Sequence, residues 1–246
     1  MFGFQSHFIF PTHAVGPAPP LPKGAERLSL TSADGQRLAG VLLPASKRGD
    51  GTLILGFGGN AWNGEDAAQF LHQLFPECDV VAFHYRGYAP STGSPSAEAL
   101  IADAPLVFDA AVERVKPKHV IAVGMSIGSG VAAELATRRK LDGLILVTPF
   151  DSLKAVAQSM YPWVPIGPIF EHEIDEAAAL EKVDAPVAII AAERDEIVPS
   201  ARTEALRPRV RNLAFDRTIP RVGHNDIYVR SEFHDAMHDA LNCLKA

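Results

Sequence analysis

Short apolar runs and amphipathic stretches of helical length alternate along most of this chain. The apolar runs are five to seven residues long and rich in Val, Ile, Leu and Ala, which is typical of buried strands. They cover residues 52–57, 80–84, 120–124, 143–147, 187–192 and 213–219. The amphipathic stretches cover residues 66–75, 96–115, 126–139, 199–206 and 226–244. This alternation predicts an α/β fold in which βαβ units build a mainly parallel central sheet with helices on both faces.

A hairpin is predicted ahead of this region. Residues 26–31 and 37–43 are strand-like and flank Asp34-Gly35, a dipeptide that favours a tight turn. The hairpin should add antiparallel strands at one edge of the sheet. Five prolines between Pro11 and Pro22 favour extended backbone. We therefore assign residues 1–25 to an extended N-terminal segment and residues 26–246 to one domain.

Residues 148–184 form a longer interval than most connections between a strand and the next strand. The interval contains aromatic residues and prolines, followed by a charged stretch at residues 171–176. We interpret residues 148–184 as a small helical cap inserted over the functional edge of the sheet. The alternative is an ordinary crossover helix with an irregular return.

Composition narrows the class of protein. The formal charge of −6 and the isoelectric point near 5.8 do not fit a nucleic-acid partner, because phosphate binding needs a basic surface. No stretch approaches the roughly 20 apolar residues of a membrane span. Cys78 and Cys243 are too few for a disulfide framework and are expected to be reduced thiols, so a cytoplasmic location is expected. The sequence does not indicate an oligomeric state.

The motif Gly124-Met-Ser126-Ile-Gly128 follows one apolar run and precedes a helix-forming stretch. A nucleophile elbow has this setting: a strand turns sharply into a helix, and the serine is held at the turn with glycines two positions away on either side. The hydroxyl then stands over the helix N-terminus, where partial positive charge favours a developing anion. Ser126 is therefore the predicted nucleophile.

A serine nucleophile needs a base, and three histidines follow Ser126 near or beyond the last strands. His224 comes directly after the last apolar run, on a loop at the edge of the sheet where sites form, and is the predicted base. His234 and His238 have the i, i+4 spacing of a metal pair, but no Glu follows His234 as in His-Glu-x-x-His. This pair fits a solvated helix face better, and we predict no metal site.

Four carboxylates compete to orient the base. Three lie in the loop after residues 187–192, and of these Asp195 is preferred because its short side chain sits midway in the loop. Glu193 and Glu196 fit solvated positions better. Asp151 also follows a strand-like run, although its position better suits the N-cap of a helix.

The oxyanion of a serine hydrolase needs two backbone N–H donors. One should be Ile127, directly after the nucleophile, and the other Asn60, in the glycine-rich loop after residues 52–57. Several large apolar residues near these positions are candidates for an apolar acyl pocket. They are Phe57, Trp62, Met125, Phe150, Trp163 and Ile197.

Taken together, these motifs resemble the α/β-hydrolase superfamily over about residues 26–246. The most similar group contains single-domain serine hydrolases acting on lipid and protein-lipid esters and thioesters. The matching segments are Gly58-Gly-Asn-Ala61, Tyr85-Arg-Gly-Tyr88 with its loop to Ser96, Gly124–Gly128, Asp195-x-x-Val-Pro199 and Gly223-His-Asn-Asp226. The resemblance implies a triad of Ser126, Asp195 and His224, and it favours Asp195 over Asp151.

Two positions depart from the pattern of that group. Gly58 stands where a His is usual, which is expected to loosen the oxyanion loop. His84 stands where an Asp, Asn or Ser often precedes Tyr-Arg-Gly. The predicted function is hydrolysis of a small-molecule ester or thioester through an acyl-enzyme, without a cofactor. The alternatives are a peptidase or amidase, a non-catalytic binding protein on the same fold, and a peripheral membrane protein held by the Phe-rich N-terminus.

Overall fold

The structure is a computed structural model, and it describes residues 9–163 and 170–245. The chain divides into two compact units, Met1–Ala122 and Val123–Ala246. Strand β5 begins in the first unit and ends in the second.

Eight strands form one sheet in the order β1-β2-β4-β3-β5-β6-β7-β8. Their bounds are β1 Glu26–Thr31, β2 Arg37–Leu43, β3 Thr52–Phe57, β4 Asp79–Phe83, β5 His119–Met125, β6 Gly143–Val147, β7 Val187–Ala192 and β8 Leu213–Ile219. The helices are α1 Gly64–Leu74, α2 Ala97–Val115, α3 Ile127–Ala136, α4 Leu153–Met160, α5 Glu176–Leu180, α6 Ser200–Leu206 and α7 Ser231–Lys245.

The first unit carries the antiparallel edge of the sheet. Strands β1 and β2 pair antiparallel, and their turn contains Gly35 at φ +82°, a left-handed conformation that glycine adopts without strain. Strand β2 then pairs antiparallel with β4, which pairs parallel with β3. Every residue of β3 is buried, which explains its continuous apolar sequence.

Two helices of the first unit begin at side-chain caps. The Asn63 side chain accepts from the Glu65 N–H at the start of α1, and Ser96 accepts from the Ala99 N–H at the start of α2. Such caps satisfy N–H groups that have no partner within the helix. Helix α1 packs against β2, β3 and β4, and α2 packs against β3 and β4.

The second unit carries parallel strands. Strand β6 pairs with β7 and β7 with β8, and β6 and β7 are buried along their whole length. Helix α7 packs against β6, β7 and β8. In open parallel sheets, ligands bind beyond the carboxyl ends of the strands, so the loops after β5, β7 and β8 are the places where a site is expected.

The predicted fold class is confirmed, including the antiparallel hairpin at one edge. The closing helix was predicted from residue 226, but it begins at Ser231, after a 3-10 turn at Ile227–Val229. The helix after the nucleophile was predicted to reach residue 139 and ends at Ala136.

The interval at residues 148–184 contains α4 and α5, while residues 164–169 lie outside the described part of the chain. Its interpretation as a cap therefore stays a prediction. In the N-terminal segment, residues 10–25 contain one 3-10 turn at Thr12–Ala14 and no strand, and Phe10 is buried. The extended conformation of this segment stays a prediction. Residues 1–8 lie outside the described part.

Candidate active site

Ser126 lies at the sharp turn between β5 and α3, with φ 53° and ψ −123°. A non-glycine residue at this φ is strained and persists only where its surroundings fix it. The Ser126 N–H donates to the Val147 carbonyl oxygen at 2.9 Å, which ties the turn to β6. The Ser126 side chain makes no capping bond to α3, so its hydroxyl remains available for other contacts.

Glycine at position 124 is required by close packing within this turn. A Cβ atom built on Gly124 would lie 2.4 Å from the Gly128 carbonyl oxygen and 2.6 Å from Ser129 Cα. No side chain fits against backbone atoms at those distances. The first glycine of the motif therefore allows the strand to meet the helix so closely.

His224 follows β8 and reaches the nucleophile directly. Its Nε2 lies 2.9 Å from Ser126 Oγ, and its side chain is 6% exposed. The backbone N–H of His224 donates to Glu196 Oε2 at 3.1 Å, which fixes the loop that carries the ring. Nε2 is thus placed to accept the proton of the Ser126 hydroxyl.

Asp195 follows β7 and contacts the opposite nitrogen of the same ring. Its Oδ1 and Oδ2 lie 2.9 Å and 2.8 Å from His224 Nδ1. Oδ1 also accepts from the backbone N–H groups of Ile197 (2.9 Å) and Val198 (2.7 Å). These bonds hold the carboxylate, whose side chain is 3% exposed, and a carboxylate at Nδ1 keeps the proton there and leaves Nε2 free to accept.

The other carboxylates of the sequence analysis have different partners. Glu193 accepts from the Arg221 N–H at 2.6 Å. Asp151 pairs with Arg202, with 3.2 Å between Oδ2 and Nη1. The expectation that Asp151 caps a helix is wrong, because Ser152 Oγ accepts from the Ala155 N–H at the start of α4.

The start of α3 provides a favourable field for an anion. No acidic side chain occupies its first turn, so the partial positive charge of the helix N-terminus is not neutralised there. Ile127, the predicted oxyanion donor, is the first residue of α3 and is buried.

Asn60, the other predicted donor, belongs to the first unit, where two tyrosines brace its loop. Tyr85 OH donates to the Gly58 carbonyl oxygen at 2.8 Å, and Tyr88 OH donates to Asn60 Oδ1 at 2.8 Å. Burial raises the pKa of both phenols, so both stay protonated and able to donate. The Asn60 amide in turn donates to the Ile9 carbonyl oxygen. The loosening expected from Gly58 is therefore countered by these two hydroxyls.

His84, the other departure, is buried in the first unit at 3% exposure. Neither ring nitrogen has a hydrogen-bond partner among the residues described. Burial lowers the pKa of the imidazole, which favours the neutral ring. The ring lines a cavity of about 20 Å³ together with Tyr85, Arg86 and Asp103, a space that suits a single water molecule.

The six candidate pocket residues occupy different environments. Three are almost completely buried: Phe57 at 5%, Met125 at 0% and Phe150 at 1% exposure. Trp62 and Ile197 are partly exposed. Trp163 is 77% exposed and packs edge-on against Tyr161. The pocket assignment stays a prediction for all six.

His234 and His238, where no metal site is predicted, lie on α7. His234 Nε2 donates to the Tyr228 carbonyl oxygen at 3.0 Å. Across residues 9–163 and 170–245, no group of three or more His, Cys, Asp or Glu side chains is arranged to hold a metal ion. Within the same ranges, no helix has the length and apolarity needed to cross a membrane.

Ser129 and Glu176 lie near the nucleophile elbow, and the sequence patterns did not indicate either as a site residue. Ser129 Oγ lies 2.6 Å from the Ser126 carbonyl oxygen and 2.8 Å from Glu176 Oε2, and Glu176 is completely buried. Glu176 ends a charged stretch that resembles a solvated surface. Only the spacing of Ser129, three residues after Ser126 on the first turn of a helix, was a signal for its contact.

Comparisons with known proteins identify the class. Residues 53–170 match the family model described as alpha/beta hydrolase fold. An uncharacterized protein of Mycobacterium tuberculosis is 34% identical over 222 residues, covering 87% of this chain and 78% of that protein. Lysophosphatidylserine lipase ABHD12 of Danio rerio is 32% identical over 138 residues, covering 49% of this chain and 36% of that protein.

A solved structure agrees with this result. The esterase PF2001 of Pyrococcus furiosus superposes with a TM-score of 0.73 at 16% identity, covering 93% of this chain and 97% of that one. The chain belongs to the α/β-hydrolase superfamily, so the predicted resemblance is confirmed. A lipase is among the proteins similar to it in sequence, and an esterase shares its fold.

Proposed function

We propose that this protein is a serine hydrolase that cleaves carboxylic esters or thioesters through an acyl-enzyme on Ser126. The observation that carries the proposal is the continuous hydrogen-bonded chain from Asp195 through His224 to Ser126. A serine, an imidazole and a buried carboxylate in this order activate the hydroxyl for attack on a carbonyl carbon.

In the first half of the proposed reaction, His224 Nε2 removes the hydroxyl proton as Ser126 Oγ bonds to the carbonyl carbon. The carbonyl π electrons move to oxygen and give a tetrahedral oxyanion. When the oxyanion collapses, the bond to the leaving alkoxide or thiolate breaks. The imidazolium of His224 then protonates that leaving group, so the histidine returns to its neutral form.

In the second half, water replaces the serine as nucleophile. His224 accepts a proton from a water molecule while the water oxygen attacks the acyl carbon, and a second tetrahedral oxyanion forms. Collapse breaks the bond to Ser126 Oγ, which recovers its proton from His224. A carboxylic acid leaves, and the enzyme is regenerated without any cofactor.

The second unit supplies one donor for the oxyanion in this proposal. The backbone N–H of Ile127 stands at the N-terminus of α3, where the helix dipole also favours negative charge. Asn60 remains the predicted second donor from the sequence, and the pocket residues remain predictions as well. The lipase and esterase among the comparisons support an acyl substrate.

An active-site probe followed by a substrate panel tests the proposed function. We expect a fluorophosphonate to label the purified protein at Ser126, identified by peptide mass spectrometry. We expect turnover of chromogenic acyl esters and acyl thioesters, compared across chain lengths, to exceed turnover of aminoacyl amides. Preferred turnover of the amides would indicate a peptidase instead, and labelling elsewhere or nowhere would contradict the proposal.

The assignment of Asn60 as an oxyanion donor makes a prediction about Tyr88. Tyr88→Phe removes the hydroxyl that donates to Asn60 Oδ1 in a buried position. Losing one such bond costs about 1 kcal/mol, so kcat should fall about five-fold with little change in KM. Steady-state kinetics on the best ester measures this change, and the exposed Tyr161→Phe is the matched control. Equal kcat values for wild type and Tyr88→Phe would contradict the assignment.

A further inference from the structure

Glu176 is a buried carboxyl group that the proposed reaction does not use. It begins α5, a helix that packs against α3, and its residue exposure is 0%. Oε2 lies 2.8 Å from Ser129 Oγ and 3.4 Å from the Phe150 N. Oε1 has no hydrogen-bond partner among the residues described. An ionised carboxylate with so few donors would be costly in this position.

Ser129 connects this carboxyl to the nucleophile. Its Oγ lies 2.6 Å from the Ser126 carbonyl oxygen, which also accepts the Ser129 N–H at 2.8 Å. A carbonyl oxygen can only accept, and a serine hydroxyl has a single proton to donate. The Ser129 proton therefore points to Ser126. The contact between Ser129 Oγ and Glu176 Oε2 then needs a proton from Glu176.

We propose that Glu176 is a positioning residue that donates, as a neutral acid, from Oε2 to Ser129 Oγ and so holds the Ser126 carbonyl at the strained elbow. The inference rests on the proposed function, in which Ser126 is the nucleophile. Glu176 touches no reacting atom in this proposal. It acts through Ser129 on the backbone of Ser126.

The surroundings of Glu176 favour the neutral acid. Burial raises the pKa of the carboxyl to about 8, and the contacts with Ser129 and Phe150 offset this only in part. The Asp151 carboxylate acts in the same direction as burial. Helix α5 packs against α3 and against the 3-10 turn at Arg207–Arg209, and the charged residues of both are paired elsewhere: Glu134 with Arg138, Arg207 with Asp216 and Arg209 with Glu181. Asp151 itself pairs with Arg202.

Ionisation should loosen the elbow. When Glu176 loses its proton, the Ser129 hydroxyl turns to the carboxylate, because a charged acceptor forms the stronger bond. The Ser126 carbonyl then loses one of its two donors. The reactivity of Ser126 should therefore fall as the pH rises through about 8.

The proton on Glu176 also affects the free energy of unfolding, and the direction of its pKa shift sets the sign of that effect. The unfolded carboxyl titrates near 4.5 and the folded one near 8, so the folded state binds more protons between these values. The raised pKa of Glu176 therefore stabilises the folded state fully below about pH 4.5. This contribution to the free energy of unfolding is lost as the pH rises through about 8. Glu176→Gln should lack this pH dependence, because its amide N–H₂ donates to Ser129 at every pH.

The test compares the rate at which a fluorophosphonate labels Ser126 in wild type and in Glu176→Gln. At about pH 7 the two rates should agree within about two-fold. At about pH 9 the variant should react about five-fold faster, as expected for loss of one hydrogen bond in wild type. The ratio of the two rates cancels the contribution of His224, which both proteins share. Glu134→Gln, a matched change on α3, should follow the wild-type profile.

Two further measurements test the protonation of Glu176 and its connection to Ser126 separately. Infrared difference spectra of wild type and Glu176→Gln at neutral pH should show the C=O stretch of a protonated carboxylic acid in wild type alone. Ser129→Ala removes the connection, so its labelling rate should be lower near neutral pH and should lose the wild-type fall near pH 8. This variant also provides the test if Glu176→Gln does not fold.

The outcomes separate the two proposals. Superimposable pH profiles of wild type and Glu176→Gln would overturn the inference while Ser126 still labels. Absence of labelling at every pH would overturn the proposed function. In that case the infrared band and the pH dependence of unfolding still decide the inference, because an ionised Glu176 at neutral pH is incompatible with it.

Discussion

Replacing Ser126 with alanine should lower kcat/KM for the best ester by about 10⁵-fold or more, which corresponds to at least about 7 kcal/mol of lost transition-state stabilisation. The change removes the atom that forms the covalent intermediate. His224 then has no hydroxyl to activate, and only the oxyanion donors and bound water remain to assist hydrolysis. The loss should appear in kcat, because the acyl chain still binds where it did before.

The same variant should remain folded. Oγ removal takes away one hydrogen bond to His224 Nε2, so the free energy of unfolding should change by no more than about 1 kcal/mol. Alanine keeps the Cβ atom of Ser126, so packing at the turn and the strain of its backbone should change little. Thermal unfolding and circular dichroism check this, alongside the loss of kcat/KM and of fluorophosphonate labelling.

Ser29→Ala is the matched control, because Ser29 is an exposed residue of β1. It should keep wild-type turnover and labelling. Retained turnover in Ser126→Ala, in protein shown to be free of wild type, would contradict the proposed mechanism. Retained labelling in that variant would point to another nucleophile.

Strand positions could be predicted well because burial on both faces imposes a continuous apolar run. The predicted runs at residues 52–57, 143–147 and 187–192 coincide with β3, β6 and β7. Helix ends were predicted less well, because they depend on local caps and turns. The chain makes a 3-10 turn at Ile227–Val229 before α7, and no apolar periodicity distinguishes that turn from a first helical turn.

Ser126 and His224 could be predicted because each follows a strand whose run is visible. Asp195 also follows such a strand, but so does Asp151, and only the family resemblance favoured Asp195 over it. Side-chain partners could not be predicted from the same pattern. Glu176 belongs to the charged stretch at residues 171–176, yet packing of α5 on α3 buries its carboxyl group. The hydroxyls of Tyr85 and Tyr88 compensate for Gly58 through contacts that link residues about 27 positions apart, and no local spacing encodes such contacts.

Replacing Asp195 with asparagine should lower kcat by about 10⁴-fold while the fold is retained. The backbone explains why the effect should be so large. Asp195 Oδ1 accepts from the N–H groups of Ile197 and Val198, so an asparagine will keep its carbonyl oxygen on those two donors. Its amide N–H₂ then faces His224 Nδ1 in place of Oδ2, and two donors cannot share that contact.

The ring must therefore hold its proton on Nε2, the atom that has to accept from Ser126. His224 would be present in the right position but in the wrong tautomer, so the loss should fall on kcat, with binding of the ester nearly unchanged. Glu193→Gln is the control in the same loop, since an amide oxygen can still accept from the Arg221 N–H. It should keep kcat within about three-fold, because its contact is a single exposed bond.

Asp151→Asn decides between the two aspartates that follow strands. Asp151 pairs with Arg202 rather than with the imidazole of His224, so Asp151→Asn should lower kcat far less than Asp195→Asn does. Steady-state kinetics on one ester compares the three variants, with thermal unfolding to show that each is folded. A loss of kcat in Asp151→Asn as large as in Asp195→Asn would contradict the assignment of Asp195, because only the carboxylate that selects the His224 tautomer should have an effect of that size.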